Sequence, residues 1–383
     1  MSSELIPNSV GYKPETVATE LSAKLAARGR HVCLFVGAGA SCAAGLPDVA
    51  GLQQAVIDTL VPSDRLLVEE LFATRNLEAG LSRVRRIASL LDGEEKFGQF
   101  DRATATRLDA AICDAIISAV DIQSANIEPF IRLASWASRG NYHRPIEIFT
   151  VNYDLLIETG LERVGALFFD GFVGGMNARF RPDLVESVPG DALMRDGETR
   201  VSLPAAFVRV WKLHGSTNWT FLEREGHREI VRLGTVAQDG RAAAIYPSDE
   251  KYDESRRVPF VVLIDRFRRA LAEPETLVLV TGYSFSDQDL NEMIFEAVLR
   301  YPRSEIVVFC YNDIPEVVST QASRTRNLSV FSPNEAIIGG QRRPLRGDTE
   351  IAGLWQGGRF LLGDFTYLSS FLGGYLSTSD ATE

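Results

Sequence analysis

Cysteine is scarce in this chain. Its 383 residues include only Cys33, Cys42, Cys113 and Cys310, and none lies in a Cys-x-x-Cys pair. Thiolates alone therefore cannot assemble a zinc ribbon. No apolar run reaches about 18 residues, so no transmembrane helix is expected. Met1 to Val10 has no basic segment followed by an apolar run, so no signal peptide is expected either. Few cysteines and no export signal fit a cytoplasmic protein. Basic charge is in deficit: 40 Lys and Arg against 51 Asp and Glu give a formal charge of −11. Such a chain is a poor electrostatic host for nucleic acid, and neither nucleic acid nor membrane is an expected partner. Two nucleotide signatures are also missing. No Gly-Lys-Ser/Thr follows the glycine-rich turn at Gly37, which excludes a P-loop. No acidic residue closes a second strand about 20 residues further on, where a nicotinamide dehydrogenase grips its ribose. Asp58 is near that spacing but lies in a helical pattern.

What is present is the composition of an ordinary globular protein, with 45% hydrophobic residues. The length suits a large α/β domain with an insertion, or two domains. Val17, Leu21 and Leu25 repeat every four residues and predict a helix. His31 to Val36 is an apolar run closed by Gly37, the pattern of a buried parallel strand entering a tight turn. Leu52, Val56 and Leu60 then resume a helical spacing. Residues 61–140 hold almost no strand-like runs and are punctuated by Pro62, Gly80, Gly93 and Gly98, the signature of a helical module. Strand-like runs return at Ile146 to Val151, Phe207 to Leu213, Thr276 to Thr281 and Glu305 to Tyr311. Leu290, Ile294 and Val298 mark a helix between the last two.

This alternation predicts a doubly wound, Rossmann-like, mostly parallel sheet with helices on both faces and an inserted helical module. Residues 12–60 and 141–331 would form the α/β domain, 61–140 the insertion, and 332–383 a C-terminal segment without clear period. Thr366 to Leu376 predicts a last helix, and 377–383 a polar tail. Of the four histidines, His31, His143 and His227 read as polar, loop-like positions.

Four short motifs follow strands. Gly37-Ala38-Gly39-Ala40-Ser41 can bring backbone close to a pyrophosphate at a helix N-terminus, or can simply pack tightly. Thr150-Val-Asn152-Tyr-Asp154 lies at the carboxyl end of a strand, the edge where open α/β sheets bind ligands. Asn152 there can hold a ribose hydroxyl or a water, or cap a helix. Lys212-Leu-His214-Gly-Ser216 puts an imidazole at another strand end, able to accept a proton near neutral pH. Thr281-Gly282-Tyr-Ser284-Phe-Ser286-Asp287 repeats the strand, small-residue turn, helix arrangement, with Ser286 or Asp287 as a helix cap.

Taken in order, and with Gly45-Leu-Pro47-Asp48, these motifs resemble the sirtuin superfamily. More closely the chain is similar to bacterial sirtuin-like NAD-degrading proteins of anti-phage defence. The resemblance spans roughly 30–300 without most of the helical insert, and its specific part is the Thr-x-Asn-Tyr-Asp and Leu-His-Gly-Ser pair. It implies that Gly37, Ala38, Gly39, Ser41 and Asp48 line an NAD pocket. Asn152 and Asp154 would lie beside the nicotinamide ribose, with His214 as catalytic base and Gly282 and Ser284 near the adenosine. The chain departs from deacetylating sirtuins, which carry a four-cysteine zinc module after the catalytic His: residues 217–275 contain no cysteine and hold Trp219, Gly234 and the Ile245 to Lys251 stretch instead. This favours water as acceptor, with no metal.

The resemblance thus implies an NAD+ hydrolase releasing nicotinamide and ADP-ribose, acting in abortive infection. It implies control by homo-oligomer assembly or by a sensor partner such as a HerA-type hexameric ATPase or a short Argonaute. An NAD-dependent protein deacylase or ADP-ribosyltransferase, and a non-catalytic NAD-binding scaffold, are the alternatives.

Overall fold

Every residue of the run His31–Val36 is buried, as a strand covered on both faces requires. In the computed structural model, which describes residues 11–72, 77–92, 95–140, 142–186, 207–224, 227–237 and 258–374, this strand is β1 at the centre of a nine-stranded sheet. The other members are β2 (Ile146–Thr150), β3 (Leu167–Phe169), β4 (Phe207–Lys212), β5 (Thr276–Thr281), β6 (Glu305–Phe309), β7 (Leu328–Phe331), β8 (Glu335–Ile338) and β9 (Gln341–Pro344). Their order is β9-β8-β7-β6-β5-β1-β2-β4-β3. All pairs are parallel except β7–β8 and β8–β9. The expectations for Met1 to Val10, for the Ile245 to Lys251 stretch and for the 377–383 tail lie outside the described residues.

The period-two alternation of a strand decides which helices cover which face. Val32, Leu34 and Val36 of β1 join one core with the helices Pro14–Ala26, Glu128–Arg139, Leu156–Arg163 and Phe365–Leu372. Cys33 and Phe35 join the other with Phe260–Ala272, Gln288–Arg300 and Glu316–Ala322. The fold is therefore mixed α/β, a large and mostly parallel sheet flanked by helices on both faces.

A third core is helical. It runs from Leu52 to Val120 and also takes in Tyr153. The helix Val49–Thr59 thus packs with the inserted helices, whereas Glu128–Arg139 packs on the sheet; apolar packing draws the module's edges differently from periodicity. The segment after 332 likewise contributes Ala336, Leu345, Trp355, Phe360, Phe365 and Leu368 to the first core. Its hairpin extends the sheet, and Tyr12 N–H donates to the Pro344 carbonyl at 2.9 Å. Phe172–Val173, Asn177–Phe180, His227–Leu233 and Trp219–Arg224 form a separate, small antiparallel sheet whose Phe172, Ala178, Trp219 and Ile230 join the second core. Among the described residues no helix is long and apolar enough to cross a membrane.

His31 corrects one expectation. It opens β1 and is 2% exposed, not a loop residue. Its Nε2 lies 2.9 Å from Glu147 Oε1. Trp211 Nε1 donates to Glu147 Oε2 at 2.6 Å, and Arg266 donates to both oxygens, at 2.9 Å through Nε. Burial pushes the Glu147 carboxyl up, but the hydrogen bonds from His31 and Arg266 and the guanidinium charge outweigh it, holding it at about 2.

Candidate active site

Strand register brings the four motifs to one edge. Val36 pairs with both Thr150 and Thr281, and Thr150 pairs with Lys212. The residues that follow, Gly37, Val151, Leu213 and Gly282, therefore leave β1, β2, β4 and β5 at the same level, on the carboxyl edge. The chain runs from β1 to β2 on one side and returns to β5 on the other. That is the topological switch at which doubly wound sheets bind ligands.

The glycines of the first and last motifs pack on each other. Gly39 N–H donates to the Gly282 carbonyl at 2.8 Å and Gly37 N–H to Thr281 at 2.9 Å. A Cβ on Gly37 would come within 2.5 Å of the Gly282 oxygen, and one on Gly39 within 2.9 Å of its Cα. Gly282 itself has φ +64°, and a Cβ there would reach Ala40 N at 2.2 Å. Close approach of two backbone turns thus explains all three glycines. With Ala40 N–H donating to the Gly37 carbonyl at 3.0 Å, these amides are engaged inside the protein rather than aimed at a pyrophosphate.

Ser41, Asn152 and Asp154 form one buried cluster, 2%, 6% and 5% exposed. Asn152 Nδ2 donates to the Gly37 carbonyl at 3.1 Å and to Ser41 Oγ at 2.9 Å; Ser41 Oγ donates to Asp154 Oδ2 at 2.7 Å. The two donor contacts of Nδ2 fix which end of the amide is which. Asn152 Oδ1 is then left buried with no hydrogen-bond partner. A buried acceptor without a donor is costly unless something supplies one. Asp154 Oδ1 accepts from Leu156 N–H at 3.1 Å. Burial pushes the Asp154 carboxyl above the usual carboxylate range, against the Lys212 ammonium and the Ser41 hydrogen bond.

Lys212 had no assigned role in the sequence, yet it ties two motifs together. It is 2% exposed. Its Nζ donates to the carbonyls of Tyr153, at 3.4 Å, and Asp154, and pairs with Glu158 Oε1 at 3.1 Å. Thr217 N–H also donates to the Tyr153 carbonyl, at 3.0 Å. The loop after β2 is therefore bound to the loop after β4. Tyr153 meanwhile anchors it in the helical core. A lysine inside an apolar strand run was the signal available for this.

His214 sits past β4, with its Nε2 3.4 Å from Asp287 Oδ2 and both side chains mostly buried. The remaining expected residues lie further out. Asp48 is exposed and caps Val49–Thr59 by accepting from Gly51 N–H at 2.8 Å. Ser284 is exposed and pairs with Ser286 Oγ at 3.0 Å. Ala38 is half-buried in the first turn. Among the described residues no group of three or more His, Cys, Asp or Glu could hold a metal ion.

No curated protein matches the chain. Residues 146–330, which carry β2, β4, β5 and three of the four motifs on the mostly parallel sheet, are similar to the family described as SIR2-like domain.

Proposed function

We propose that this protein hydrolyses NAD+ at the nicotinamide–ribose bond, releasing nicotinamide and ADP-ribose. The observation that carries the reading is the unpartnered Asn152 Oδ1, buried at the carboxyl edge of the central strands. An acceptor there suits a ribose hydroxyl or a water. Asn152 is held by Gly37 and Ser41, so its amide is fixed before substrate arrives.

Nicotinamide in NAD+ is a pyridinium and leaves with the electron pair of the C1′–N bond. Water then bonds to C1′, and its proton passes to the His214 imidazole. The protein's contribution is to hold the ribose and water in attack geometry, which supplies several kcal/mol, and to take the proton, which adds about 10²–10⁴-fold. Asp154 keeps the Ser41–Asn152 chain in place and, when ionised, offsets positive charge developing on the ribose. Water is favoured as acceptor because the interval after His214 has no cysteine with which to build a zinc-supported peptide cleft. Control by assembly, with further copies or with a sensor subunit such as a HerA-type ATPase, belongs to the same reading, as does a role in anti-phage defence.

The test is chromatography of products after incubating purified protein with NAD+. His214→Ala and Asn152→Ala each lower nicotinamide release by about 10²–10⁴-fold. Parental rates in both variants, with normal unfolding curves, refute the assignment.

A further inference from the structure

Asp287 belongs to the last motif but was read only as a helix cap. The cap is real: Oδ1 accepts from Asp289 N–H at 3.1 Å and Leu290 N–H at 3.3 Å, opening the helix Gln288–Arg300. These bonds use one carboxylate oxygen. The other, Oδ2, faces His214 Nε2 at 3.4 Å. The turn that presents it is strongly held. Tyr283 Oη donates to the Asp287 carbonyl at 3.2 Å and to Asn291 Oδ1 at 3.1 Å, and Asn291 Nδ2 donates to the Phe285 carbonyl at 2.8 Å. Phe285 takes φ +58° with its ring buried. That conformation is strained for a non-glycine residue and persists only where surroundings impose it. A simple cap needs none of this.

We propose that Asp287 is the positioning residue for His214. Its carboxylate accepts the imidazole Nε2–H and thereby fixes the tautomer that leaves the Nδ1 lone pair free. This rests on the NAD+-cleaving reading for the identity of the proton donor, a water or ribose hydroxyl. In the step, the O–H proton moves to Nδ1, the Nε2–H stays, and Asp287 remains ionised beside the imidazolium. A carboxylate, a histidine and a proton donor in series is a common way to hold a general base. Here the carboxylate comes from the β5 side of the sheet and the base from the β4 side, so the pair spans the ends of β1 and β2.

The experiment uses Asp287→Asn and Asp287→Ser, both good helix caps, so the helix survives. Each lowers the rate of nicotinamide release by about 10–100-fold, with KM for NAD+ changed less than about threefold. In a His214→Ala background the same substitutions cause no further loss. Imidazole ¹⁵N spectra of the full chain show Nε2–H for His214 in the parent and a mixture of tautomers in Asp287→Asn. An unchanged tautomer, or an additional loss in the His214→Ala background, overturns the proposal. If the parent releases no nicotinamide, the reaction assignment fails, and the tautomer spectrum still decides whether Asp287 positions His214.

Discussion

Glu147 lies within β2 and Asn152 just past its end, yet the two buried polar clusters they anchor are built differently. Both Glu147 oxygens are occupied, by His31, Trp211 and Arg266. Asn152 has its amide nitrogen doubly engaged and its oxygen unmatched. The acids respond in opposite senses. Glu147 is pulled down to about 2, whereas Asp154 is pushed up by burial. A saturated cluster joins β1, β2, β4 and a covering helix. A cluster with an open acceptor and an acid disfavoured by burial costs stability, and under the proposed function that cost keeps capacity for a ligand.

The largest expected effect tests the first half of that contrast. Glu147→Gln leaves Arg266 and His31 facing a neutral amide, and urea unfolding at pH 7 shows a loss of about 3–5 kcal/mol. The pH dependence has a defined sign. Because the folded Glu147 carboxyl lies at about 2 against an ordinary 4.5, its contribution is present above about pH 4.5 and is lost as pH falls toward 2. The parent shows this slope and Glu147→Gln does not; equal slopes would contradict the saturated-cluster account.

Next comes the turn that frames the open cluster. Gly282→Ala puts a methyl group against Ala40 N at φ +64° and lowers stability by about 1–3 kcal/mol. A melting temperature like the parent's would mean that the two glycine turns do not pack as described. The smallest effect tests the second half. Asp154→Asn keeps one acceptor, for Leu156 N–H, and turns its Nδ2 donor to Ser41 Oγ, while removing a carboxylate that burial disfavours. Its unfolding free energy stays within about 1 kcal/mol of the parent. Since the Asp154 carboxyl is raised in the folded state, its contribution falls as pH rises, so the variant gains on the parent from acid to neutral pH. A multi-kcal/mol loss at pH 7 would place Asp154 with Glu147 instead.

The central strands were legible because each is a continuous apolar run: β1, β2, β4, β5 and β6 all lie within predicted segments. Short edge strands were not. β3 has three residues and β8 and β9 four each, too few to establish an alternation. Leu52 and Tyr153 join the helical core through packing, which a change of composition along the chain does not show. Asn152 and Asp154, from one motif, hydrogen-bond with Ser41 of another, a contact that no local pattern announces. Asp48 and Ser284 were placed by resemblance and lie exposed.

By itself the sequence determined the central strands and that four motifs follow strand ends, because burial on both faces demands apolar residues without interruption. Only the tertiary structure decided that Gly37, Gly39 and Gly282 exist for one another, that Lys212 binds two loops, and that Asp287 faces His214. Those contacts join residues up to hundreds of positions apart, and parallel strands bring such residues together through register, which no local pattern encodes.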